Sequence, residues 1–136
     1  MKEEIRELVK EWVRKADRNL IAAKHELTQK DPITEDICFN CQQAIEKYLK
    51  AFLVAQQIYF NKTHDIKELL ALCIKEDSNF ESLFNANIEM LTDYAIEIRY
   101  PGFSEEPSRE EAAEAIVKTE RVKEFVYNVL RQCLIN

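Results

Sequence analysis

"CFNCQQAIEKYLKAFL", Cys38–Leu53, decides how the rest of the chain is read. Ile37, Cys41, Ala44, Tyr48, Ala51 and Ala55 recur at steps of three and four, so they share one side of a helix. Cys38, Ile45, Leu49 and Phe52 line the adjacent side. So wide an apolar surface predicts a central helix, from about residue 35 to about residue 57, with neighbours on two sides. Gln43, Glu46, Lys47 and Lys50 recur at steps of three and four and share one polar stripe, with Gln42 beside it. The simplest reading of such a stripe is a solvated face with Glu46 paired to Lys50 at i,i+4.

The Cys38-x-x-Cys41 spacing invites a redox or metal reading, and the surrounding sequence argues against both. A redox pair needs a thiol of lowered pKa, usually at a helix N-terminus that follows a strand, and no strand pattern precedes Cys38. A zinc site needs about four converging ligands, and His25, His64, Cys73 and Cys133 show no paired spacing. All four cysteines fall in apolar-periodic segments and are read as small buried hydrophobes. No metal and no cofactor is expected.

Outward from this helix the same period continues. Ile5, Leu8, Val9, Trp12, Ala16, Leu20, Ala23 and Leu27 make one face of a first helix that Asp31-Pro32 ends. Thr34 is the expected N-cap of the central helix, with Glu35 and Asp36 favouring its positive end. Asp65 and Glu68 have capping-box spacing ahead of a short stripe of Ile66, Leu69, Leu70 and Cys73. A fourth helix carries Phe80, Leu83, Phe84, Ile88, Leu91, Ala95 and Ile98. "RYPGFSEEPS" breaks the pattern, Ser108 and Glu111 form a second capping box, and a last helix runs through Ala112, Ala115, Ile116, Thr119, Val122, Val126, Val129 and Cys133. Breaks are expected near residues 31–34, 58–64, 76–79 and 100–107. The predicted fold is all-α, an antiparallel up-and-down bundle of about five helices, in a single domain over residues 1–136.

Composition agrees. One Gly and three Pro in 136 residues are too few for the tight turns of a sheet protein. The net charge of −6 excludes a chain built for indiscriminate binding to phosphate backbones. The N-terminus has no long apolar run and no segment reaches membrane-spanning length, so the expected location is the cytoplasm, without a membrane association. Charge is uneven: Lys10, Arg14, Lys15, Arg18 and Lys24 crowd residues 10–24, whereas residues 76–114 hold eleven acids against Arg99 and Arg109. An anionic ligand is better hosted by the first helix with Lys47 and Lys50 than by the acidic half. The alternative is that the two halves are complementary surfaces for assembly.

"CFNCQQAIEKYLKAFL", then "KTHDIKELL", then "IEIRYPG", together with Trp12, Ala16, Asp17 and Leu20, resemble the HEPN family (higher eukaryotes and prokaryotes nucleotide-binding). The resemblance covers roughly residues 8–130. It implies a helical bundle, often a homodimer, that works beside a minimal nucleotidyltransferase in a two-component or toxin–antitoxin system and binds nucleotide or RNA. Many members are metal-independent ribonucleases in which an Arg is followed, four to six residues on, by a His serving as general base. Here Arg99 stands at the Arg position, but the window for the His reads Phe103-Ser104-Glu105, and no His follows His64. The sequence therefore assigns no catalytic residue and favours a binding and interaction module over an enzyme. The competing readings are a ribonuclease using Arg99 with an atypical base, Glu105 or His64, and a dimeric scaffold without ligand. Candidate nucleotide, anion or partner contacts are Arg99, Tyr100, Gln43, Glu46, Lys47, Lys50 and His64.

Overall fold

The structure, a computed structural model, describes residues 1–84 and 106–135. Those residues fold as helices joined by short links, with no strand among them. α1 spans Glu3–Leu27, α2 Thr34–Ala55, α3 Ile66–Glu76, α4 Glu81–Phe84, α5 Arg109–Val129 and α6 Arg131–Ile135. The architecture is an all-α helical bundle. The fourth predicted helix is represented by a 3₁₀ turn, Ser78–Phe80, and by α4; its remainder, with Arg99, Tyr100 and Glu105, lies outside the described residues.

α2 is the central element, with α1, α3 and α5 packed around it. Ile37, Cys41, Ala44, Ile45, Tyr48, Leu49 and Ala51 are fully buried, as the width of its apolar surface predicts. α1 turns Val9, Val13, Ala16, Leu20 and Ala23 to the core. That face is rotated from the expected one: Val13 replaces Leu8, which is half exposed, and Trp12 sits at the edge. Ala16 and Ala23 lack bulk, which lets the backbones of α1 and α2 approach. In α3 the stripe of Ile66, Leu69, Leu70 and Cys73 is wholly buried. Phe80 closes the core between Phe52 of α2 and Phe125 of α5, with ring centroids 4.5 and 4.6 Å away. Each such pair adds about 0.5–1.5 kcal/mol beyond area burial, so the ladder fixes where the chain leaves α3.

The helix ends show local chemistry at work. Ser108 and Glu111 close the expected capping box, each side chain bonding the other's backbone N–H at 3.0 Å. Asp65 caps α3 by accepting from the Lys67 N–H at 3.0 Å, while Glu68 accepts from the Thr63 hydroxyl. Thr34 is not the N-cap of α2: Ile33 is, without a side-chain cap, and its own N–H goes to Glu26 Oε2 of α1 at 2.9 Å. Position 34 lies inside the helix and is buried, so its hydroxyl is not free to cap. α2 ends in a Schellman turn, in which Ile58 N–H reaches the Leu53 carbonyl and Gln57 N–H the Val54 carbonyl, with Gln57 at φ 56°. The last helix stops at Val129, because Leu130 turns into the core before α6 begins.

A polar tie crosses the bundle. The Asp17 carboxylate of α1 accepts from Tyr48 Oη of α2 and Tyr127 Oη of α5, both at 2.5 Å, with Lys123 Nζ 3.6 Å away. Burial and the Asp17 charge push both phenols well above their usual range, so they are fixed donors. The tie gives α1, α2 and α5 one relative rotation.

Candidate functional site

The stripe on α2 is not a solvated face. Glu46 is 1% exposed, Lys50 is 8% exposed and Gln42 is buried with them. The reason lies in the helical period: Glu46 is three and seven residues from Leu49 and Leu53, and Lys50 is three from Leu53, all on the core side. Nor do Glu46 and Lys50 pair. Glu46 Oε1 accepts from the Gln42 amide, and Oε2 lies 3.1 Å from Nδ1 of His64. His64 comes from the link before α3, where its side chain is 75% exposed. The Asp65 cap holds that link, and the Gln42 amide also approaches the His64 carbonyl at 3.4 Å.

Burial raises the Glu46 carboxyl above its ordinary range. The His64 hydrogen bond and charge oppose that, followed by Lys50 and Gln42. A buried carboxylate fixed at one ring nitrogen sets the tautomer and orientation of the imidazole.

Lys50 has a different environment. Its ammonium lies 5.5 Å from the Trp12 ring centroid and 5.9 Å from that of Phe60. Among the described residues it makes no hydrogen bond and no ion pair. Lys47, one turn back and half-buried, donates to Asn19 Oδ1 of α1 at 2.6 Å, and Asn19 in turn donates to Asn40. The Lys47 amine is held below its usual range first by burial, then by the neighbouring Lys15 charge; Lys50 adds to this and Glu46 opposes it. Lys15, Lys47 and Lys50 are thus close enough to feel one another across α1 and α2.

The chain's fold, its central helix and this seam between α1 and α2 can be compared with known proteins. A family model described as HEPN domain matches residues 9–130. The chain belongs to the HEPN domain family. No curated protein and no solved structure matched it.

Of the candidate residues, the HEPN fold brings Glu46, His64 and Lys50 together and sets Lys47 beside them. Gln43 is half-buried and contributes no hydrogen bond to the cluster. Arg99 and Tyr100 lie outside the described residues. Sequence reasoning missed Trp12 and Phe60 as the flanks of Lys50 and Gln42 as the second donor to Glu46. The Gln42–Glu46 spacing of four was legible; the approach of Trp12 and Phe60 is tertiary and leaves no local signal. Cys38 and Cys41 do not join the site. Burial raises their thiols to about 12 and about 11, the reverse of a redox pair, and the Cys73 thiol is pushed up as well. Among the described residues no cluster of metal-ligating side chains occurs, and no helix is long and apolar enough to cross a membrane.

Proposed function

We propose that the chain is a HEPN-type binding module whose ligand is a nucleotide or RNA, engaged through phosphate by Lys50, Lys47 and Lys15. The observation that carries this reading is the Lys50 side chain, buried along its stem beside Trp12 and Phe60, whose ammonium makes no hydrogen bond and no ion pair among the described residues. The two aromatic faces give the cation about 0.5–1 kcal/mol each, and both Glu46 oxygens are committed elsewhere. The Lys50 ammonium is therefore free to donate to a phosphate oxygen.

In the same reading the module works beside a minimal nucleotidyltransferase, in a two-component or toxin–antitoxin pair, as a single-domain homodimer. Family membership supports the dimer, since HEPN domains often dimerise. The exposed Ile21 and Val117 add to it, each one turn from the Lys24–Glu120 ion pair that joins α1 to α5. Residual apolar surface of this kind is commonly hidden by two-fold association. Light scattering at micromolar concentration should give the mass of a dimer; a monomer mass overturns the assembly.

One observation favours a second reading. The Glu46–His64 pair has the form of a base with its orienting carboxylate, with cations on the adjacent turn. A metal-independent ribonuclease would use His64 to take the 2′-hydroxyl proton and Arg99 or Lys50 to hold the phosphate. Incubation of labelled RNA with wild type, His64→Ala and Arg99→Ala, without and with added metal, separates the two. The binding reading expects binding with little or no cleavage by any of the three. Robust cleavage by wild type that falls by about 100-fold or more in His64→Ala makes the enzyme reading the better one.

A further inference from the structure

Tyr59 and Phe60 lie in the link between α2 and α3, and their rings have opposite environments. Tyr59 is 84% exposed, and its hydroxyl reaches Asn61 Oδ1 at 3.3 Å. Phe60 is half-buried, packs against the core and lies beneath the Lys50 ammonium. Together with Asn61 they line a groove of about 370 Å³, to which α3 contributes Glu68, Leu72 and Lys75. Glu68 is engaged with the Thr63 hydroxyl at 3.2 Å, so the acid in the groove already has a donor. The groove therefore combines aromatic surface, a side-chain amide, one cation and one carboxylate that is already hydrogen-bonded.

Phe60 is also shared: the ring that lines the groove is one of the two that Lys50 lies over. Cations therefore stand at two places around the aromatic pair, Lys75 on α3 and the Lys50–Lys47 cluster on α2. A mononucleotide carries its phosphates on one side of its base. A strand carries a phosphate on each side of every base, and only an unpaired base offers its face to a side chain.

Building on the nucleic-acid reading above, we propose that this groove is a base-stacking subsite for single-stranded RNA. An unpaired base stacks on Tyr59 against Phe60 and Leu72. The Asn61 amide offers a donor and an acceptor to its edge. The flanking phosphates meet Lys75 on one side and the Lys47–Lys50 cluster on the other.

The test is fluorescence anisotropy on the full chain with labelled oligoadenylate of about eight nucleotides, within the usual span of such sites. Its comparison ligands are an abasic phosphodiester of the same length, a blunt RNA duplex and AMP. Tyr59 is exposed and outside the core, so its replacement leaves the fold intact. Tyr59→Ala should weaken oligoadenylate binding about 5- to 100-fold, the loss expected of one stacked base. Tyr59→Phe should restore it, and the abasic strand should bind wild type and Tyr59→Ala alike. Equal oligoadenylate affinity of wild type and Tyr59→Ala overturns the subsite while leaving the phosphate reading in place. AMP or duplex binding as tight as the single strand overturns the choice of ligand. If wild type binds none of these ligands, the reading beneath fails, and the subsite fails with it.

Discussion

Glu46 is a carboxylate that burial works against and His64 and Gln42 hold in place. Its raised pKa has a definite consequence for stability. In the window between the ordinary carboxylate value and the raised one, the folded chain binds more protons than the unfolded chain. Stability contributed by this group is therefore present at low pH and lost as pH rises through the folded pKa. Glu46→Gln keeps the shape and removes the titration. Thermal unfolding of both proteins from pH 4 to pH 8 should show the variant gaining on wild type as pH rises; parallel curves would mean that Glu46 titrates normally in the fold. The sequence placed Glu46 on a solvated face; its burial, beside Leu49 and Leu53 on the core side, overturns that reading. Its choice of His64 over Lys50 was not legible either, because the link that brings His64 back is set by the Asp65 cap and the Schellman turn.

At the scale of elements, the period of three and four located α1, α2, α3 and α5, since each has one face that water disfavours. Ends were less legible. Ser108–Glu111 announced itself because both partners of a capping box lie within one turn of sequence. The end of α2 did not, because Gln57 takes the left-handed conformation that usually marks a Gly. An L-residue with a Cβ pays about 1 kcal/mol there, and Ile58 packing against the core holds the turn in place. Gln57→Gly should therefore stabilise the protein by about 0.5–1 kcal/mol, read as a higher urea midpoint at unchanged slope. A lowered midpoint would show that the Gln57 side chain matters more than its backbone strain.

On the scale of the whole molecule, an acidic chain concentrates cations where α1 and α2 meet and holds the Lys50 stem beside two aromatic rings, with no acceptor for its ammonium among the described residues. The sequence showed the basic composition of residues 10–24 and the lysines of α2, and it favoured that side for an anion. The Trp12 and Phe60 flanks, which cover the Lys50 side chain, required the fold. The most direct measurement of the central claim is the salt dependence of single-stranded RNA binding by wild type and Lys50→Met, a substitution that keeps the unbranched stem between the two rings and removes only the charge. Met keeps the apolar stem packed beside Trp12 and Phe60, so the variant should fold. The account predicts binding at least about tenfold weaker and a log–log salt slope shallower by about 0.7, the loss of one phosphate contact to a single strand. The same affinity and the same slope in both proteins would contradict it.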